Sequence, residues 1–179
     1  MVNLNGMWVI DQSHSEIQFK VKHLVISTVT GSFGSFDANM EITGGDFANA
    51  KINFSADINS ISTNNDQRDG HLKSDDFFNA EIYPKMTFVS KSMSSNSNGT
   101  FTLLGDLTIR DNNKEISLNV EFGGVADDFY GNTKAGFSLE GKLNRKDFGL
   151  SWSAVTEAGG VVVSDEVKLI VNAQMTKTK

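Results

Sequence analysis

The chain has no cysteine in its 179 residues, which excludes disulfides, thiol nucleophiles and thiolate metal sites. It has one proline, two tryptophans and two tyrosines. No apolar run is long enough to make a membrane-spanning helix. Positive charge is also short: 16 Lys+Arg stand against 22 Asp+Glu, a formal net charge of −6. With no basic cluster to offset that balance, nucleic acid is not an expected partner. The start, Met1 to Trp8, lacks a basic segment followed by an apolar one. The reading is therefore cytoplasmic for the chain as written, and periplasmic if its start has been trimmed.

Phenylalanine is abundant, with 13 copies. Phe is large and carries no polar handle, so this excess suits a wholly apolar interior. Alternation with period two runs through most of the chain. Ile17, Phe19, Val21 and His23 alternate with Glu16, Gln18, Lys20 and Lys22, and Phe36, Ala38, Met40 and Ile42 with Asp37, Asn39 and Glu41. Ile52, Phe54, Ala56 and Ile58 form a third such face, and Met86 and Phe88 begin a shorter strand after Pro84. Phe101 to Ile109, Ile116 to Phe122, Ala135 to Leu143 and Val167 to Ala173 repeat the pattern, with a polar turn expected over Asp111–Glu115. Eight strands with one wet and one dry face, joined by short Gly/Asn/Asp/Ser segments, predict an all-β antiparallel fold in a single domain over residues 1–179. Closure removes the long edges, so an eight-stranded barrel is favoured over a sandwich. Gly105 and Gly141, on inward positions, would ease the coiling of its wall.

One stretch breaks the pattern. Between Ile61 and Pro84, after strand 3, the chain shows no alternation and offers capping residues. Thr63 is expected to cap a short helix from Asn64 towards Leu72, and Ser74 a turn over Asp75–Phe78. Such a connection serves as a lid or as a simple plug.

The motifs Trp8-Val-Ile-Asp-Gln-Ser-His-Ser15, Phe19-x-Val-x-His23 and Gly31-x-Phe33-Gly-x-Phe36 resemble the start of the YceI-like family. Arg68-Asp-Gly-His-Leu-Lys-Ser-Asp-Asp-Phe-Phe78, followed by Tyr83-Pro84, resembles its central signature. Gly105-x-Leu107-Thr-Ile-Arg110, Arg145-x-Asp147-Phe-Gly149 and Asp165-x-Val167 extend the likeness over nearly the whole chain. At Asp111 the family pattern more often has Gly. The resemblance implies a lipocalin-like barrel with a hydrophobic tunnel for polyisoprenoids, isoprenoid quinones or other long amphiphiles. It also implies a non-catalytic carrier, store or sensor, and it admits a homodimer.

The expected ligand lining is Phe19, Val21, Phe36, Met40, Phe54, Ile58, Leu72, Phe77, Phe88, Leu107, Phe137 and Leu169, with some of these serving only as packing. His23, Arg68 and His71 are the candidate polar contacts at the barrel end. Arg68 could meet a phosphate, carboxylate or quinone head group; the alternative is an ion pair with Asp69, Asp75 or Asp76 that pins the connection. Zinc chemistry would need His14, His23 and His71 to converge, and their spacing matches no local ligand motif. No catalytic residue, metal or cofactor is expected, only an apolar ligand. The alternatives are a small barrel enzyme acting on a lipid or quinone through His14, His23 or Arg68, and a structural barrel with a filled interior.

Overall fold

The computed structural model describes residues 2–154 and 162–178. Among them eleven strands form one antiparallel sheet: β1 (Gly6–Ile10), β2 (Glu16–His23), β3 (Ser27–Phe33), β4 (Phe36–Ile42), β5 (Lys51–Asp57), β6 (Ile61–Ser62), β7 (Lys85–Ser95), β8 (Phe101–Ile109), β9 (Asn112–Asp127), β10 (Thr133–Asn144) and β11 (Val163–Lys177). Several are halves of longer ribbons. β1 and β2 lie end to end along β11, which pairs Ile10 with Met175 and Phe19 with Leu169. β3 and β4 follow along β2 and β1, and β5 and β6 along β4 and β3. The result is eight ribbons in chain order, closed where β1 meets both β4 and β11. The eight-stranded antiparallel barrel read from alternation is therefore present.

Its membership differs from that reading in places with physical causes. β1 was missed because both its faces carry apolar residues: Trp8 is wholly buried, yet Met7 and Val9 on the other face are exposed. β3 was missed because Ser27 and Gly31 take two of its four inward positions and leave only Val29 and Phe33 apolar. Ile58 belongs to a 3₁₀ turn, not to the third strand. β7 is 11 residues long rather than short, because a bulge between Ser90 and Ser92 shifts the inward set from Met86 and Phe88 to Met93. The polar turn is tighter than Asp111–Glu115: Arg110 and Asp111 alone make it, Arg110 with a left-handed φ of 57°, and Asn112 already pairs with Ile109.

The connection does hold a helix, α1 (Asp66–Lys73). Its cap is Asn65, whose side chain accepts from the Arg68 N–H at 3.0 Å, not Thr63 as the sequence suggested. Thr63 is buried, and its N–H and hydroxyl both donate to Asp69 Oδ1, at 2.8 and 2.6 Å. Ser74 ends the helix by donating to the His71 carbonyl, and its own carbonyl accepts from Phe77 N–H to start the turn over 75–78.

Topology assigns the two barrel ends. The upper end carries the β2–β3 turn, the connection over residues 63–84, the Arg110–Asp111 turn and the segment that follows β10. The lower end carries the turns over 43–50, 96–100 and 128–132. Phe47, from the first lower turn, enters the barrel and meets Phe101, Phe122 and Phe137 with ring centroids 4.9–5.5 Å away. These near-perpendicular contacts close the lower end with hydrocarbon alone.

Candidate functional site: a lidded apolar void

The barrel is not filled. A void of about 150 Å³ lies along its middle, bounded by Met40, Phe54, Phe88, Leu107, Phe137 and Val171 among others. A second, of about 100 Å³, lies above it under Phe19, Val21, Leu72, Phe77 and Val167. Ile17, Gln18, Met86 and Leu169 border both, so the two stack along one axis.

Two glycines help to keep that axis open. A side chain on Gly31 would collide with the ring of Phe19, and one on Gly105 with the ring of Phe88. Each ring lies across its glycine on the neighbouring strand, against the wall, instead of standing into the lumen. The wall is also soft, because Met40, Met86, Met93 and Met175 all face the lower void. Methionine has three rotatable bonds and a polarisable sulfur, so it reshapes at low cost.

The upper end packs rings of its own, those of His71, Phe77 and Trp152, and adds directional hydrogen bonds. Arg145 is buried, 3% exposed, and donates to the carbonyls of Ser164, Val163, Leu150 and Trp152. Burial pushes its pKa down and the half-exposed Asp165 carboxylate, 3.6 Å away, partly offsets this. Arg110 donates through Nη1 to the carbonyls of Phe77 and Gly149, both at 3.2 Å, and its guanidinium sits 5.6 Å from the Tyr83 ring centre. Asn112 adds a bond from Nδ2 to the Phe148 carbonyl at 2.9 Å. One turn residue thus ties the 63–84 connection to the segment after β10. Among the described residues that line either void, Arg145 alone is ionisable, and its donors are already directed at carbonyls.

The residues chosen from sequence divide accordingly. Phe19, Val21, Met40, Phe54, Leu72, Phe77, Phe88, Leu107, Phe137 and Leu169 border the voids. Phe36 and Ile58 do not; they are buried in the wall at 6% and 1% exposure, as packing. Arg68 makes no ion pair among the described residues: its Nε donates to Thr63 Oγ1 and its Nη2 to the Thr63 carbonyl, both at 2.7 Å. The pinning role is there, but the partner is Thr63 and not an acid. His71 bonds to Asp76 at 2.8 Å and packs edge-on against Phe77 and Trp152, outside the void. His23 ends β2 half-buried and borders neither void. Arg110, Arg145 and the Thr63–Asp69 pair were not singled out. Their motifs were visible, but not the carbonyls that give them a role.

His14 sits in the 3₁₀ turn between β1 and β2, where Asp11 Oδ2 meets its Nδ1 at 3.1 Å. Ser13 Oγ also approaches that nitrogen, at 3.0 Å, but donates to Asp11 Oδ1 at 2.7 Å. A nucleophile–base–acid relay needs the serine and the carboxylate on opposite ring nitrogens. Here both crowd one nitrogen, so the hydroxyl is oriented, not activated. Bonds from Ser13, His14 and Lys134 hold the Asp11 carboxyl well below the usual carboxylate range, against the opposing effect of its partial burial. Among the described residues no three His, Cys, Asp or Glu side chains cluster as a metal site.

The fold and the void define an extended lipocalin-like barrel with an apolar interior. The chain belongs to the YceI-like family: the YceI-like domain matches residues 8–175. A UPF0312 protein of Staphylococcus epidermidis is 38% identical over 167 residues, covering 93% of this chain and 95% of that one. The Campylobacter jejuni YceI protein has the same fold with a TM-score of 0.75 at 37% identity, over 89% of this chain and 91% of its own. A polyisoprenoid binding domain from Saccharophagus degradans superposes with a TM-score of 0.66 over 96% of this chain and 98% of its own. At 15% identity it speaks to the fold alone.

Proposed function

We propose that this protein binds a long apolar or amphiphilic chain in the barrel void, as a carrier, store or sensor that does no chemistry on it. The observation that carries this reading is the stacked void itself, walled almost entirely by hydrocarbon and plugged below by Phe47. Polyisoprenoid chains, isoprenoid quinones and fatty chains fit that lining. The Saccharophagus domain that shares this fold is a polyisoprenoid binding domain, in keeping with such a ligand. Removing apolar area from water contributes about 25 cal/mol per Å², so an extended tail needs no polar contact to bind firmly.

Volume sharpens the claim. A void of about 150 Å³ matches one that holds a single benzene-sized molecule. A chain of several isoprene units therefore enters only as the methionines and Phe rings move aside, and length selectivity follows from how far they yield. The Arg145 guanidinium beside the void is engaged with backbone carbonyls, and the Ser13–His14–Asp11 group lies outside it, which favours binding over catalysis. Denaturing mass spectrometry of solvent extracts from the purified protein tests the reading. The expected result is a copurifying long-chain lipid, and stabilisation by added quinone or polyprenol of about 2.7 kcal/mol at a hundredfold excess over Kd. Repeated extracts free of lipid, with no stabilisation, would reject it.

A further inference from the structure

The turn joining β2 to β3 is built from the wrong residues for its shape. Leu24 and Val25 take φ values of 54° and 66°, and the Ile26 N–H returns to the His23 carbonyl at 3.3 Å. Left-handed φ at both central positions ordinarily calls for Asn and Gly, and a β-branched residue there is strained. This strain is spent on holding three apolar side chains in water: Val25 is 73% and Ile26 86% exposed, with Leu24 at 38%. Local stability would be better served by Asn-Gly or Asp-Gly at the two central positions.

The tip lies at the mouth of the void. Val21, three residues before it, lines the upper void together with Val163, and Val163 pairs with His23. Leu24 N–H also donates to the Val162 carbonyl at 2.9 Å.

Below the tip the outer wall is basic. Lys20, Lys168 and Lys142 form a row across β2, β11 and β10, with Lys22 nearer the tip. Glu140 and Glu166 lie 3.9 and 3.5 Å from Lys168 and Lys142, while Lys20 and Lys22 make no ion pair among the described residues. The lower end differs. Its exposed pair, Phe129 and Tyr130, follows directly on Asp127 and Asp128. Three side chains are too few for a stable contact between proteins, which needs about 800 Å² from each partner. They suffice to enter a bilayer interface.

We propose that the Leu24–Ile26 tip docks the upper end of the barrel on a membrane surface bearing anionic phospholipid, with Lys20 and Lys22 meeting the head groups. It rests on the reading of the barrel as a binder of apolar chains, because docking lets such a chain pass from bilayer to void without crossing water. Apolar side chains supply insertion and lysines supply salt-sensitive attraction, and neither alone anchors a protein firmly.

The test is cosedimentation of the whole protein with phosphatidylcholine–phosphatidylglycerol vesicles, at low and high salt. Val25→Asp with Ile26→Asp should lower association at least tenfold, and Lys22→Ala roughly fivefold at low salt. Phe129→Asp with Tyr130→Asp, at the other end, should bind as the parent does. Leu24→Asn with Val25→Gly guards against misfolding: it gives the turn its preferred residues, so it should melt higher while binding vesicles less. Tip variants that bind as well as the parent overturn the proposal. So does a dimer that the tip variants split while the parent ignores vesicles, which would make a second copy the occupant. Vesicle binding that persists in protein yielding no lipid on extraction keeps the docking and rejects the ligand reading instead.

Discussion

The two ends of the barrel are shut by different physics. Below, three Phe rings meet Phe47 edge to face, and their attraction is spread over area with no single bond to break. Above, the rings of His71, Phe77 and Trp152 also pack, but two arginines and an asparagine point at backbone carbonyls and tie the cover down with a few directional bonds that water can replace. An aromatic plug yields only when the core does. A hydrogen-bonded lid can loosen while the barrel stands, so on the proposed reading a ligand would pass at the upper end.

Phe47→Ala tests the lower half of that contrast and should have the largest effect. Deleting the ring leaves a cavity at the base and should cost about 3–5 kcal/mol in chemical denaturation. Amide exchange should then quicken throughout the barrel, because the plug shares the fate of the core. Arg145→Met comes next, at about 3 kcal/mol, since it leaves the buried carbonyl of Leu150 and the part-buried one of Trp152 without their donor. A loss under 1 kcal/mol would mean that water already serves those carbonyls. Arg110→Ala should cost only about 1–2 kcal/mol globally, yet raise exchange locally around Phe77 and Phe148 and speed ligand entry and release. Uniform exchange in that variant would erase the distinction between plug and lid.

Gly31→Ala probes the space between the ends. The new methyl forces the Phe19 ring off the wall and should cost about 1–3 kcal/mol, with weaker binding of long chains than of short ones. The smallest effect concerns acid. The folded-state pKa of Asp11 is depressed, so its contribution is complete above the ordinary carboxylate range and fades as pH falls through it. Asp11→Asn should flatten the decline of stability below about pH 4, where a free carboxyl begins to protonate. An unchanged acid limb would show that the Ser13, His14 and Lys134 contacts carry nothing.

How much of this the sequence disclosed depends on whether a role is set by alternation or by a distant backbone. Phe19, Phe54, Phe88 and Leu107 were legible because inward positions repeat every two residues and the voids lie inward. Met93 was hidden by the bulge at Ser90–Ser92, which resets the phase midway along β7. Phe36 and Ile58 share the inward periodicity of the lining but are taken up by packing, which no one-dimensional pattern separates from a lumen. Arg145 and Arg110 were visible only as motif letters. Their work depends on carbonyls brought close by closure, 5 to 39 residues away in the chain. Arg68 shows the reverse error, since nearby acids in sequence suggested ion pairs while the fold offered it Thr63.

The seam where β1 meets β11 also governs how the molecule comes into being. Ile10 finds Met175, and Trp8 finds Lys177, only after every intervening hairpin has formed. Contacts of such sequence separation are entropically slow to make. On the ribosome the first ribbon must wait, its apolar face uncovered, until the last has been synthesised. Loss of the final strand would leave an open, sticky sheet rather than a smaller barrel, and proteases and chaperones would meet that sheet first.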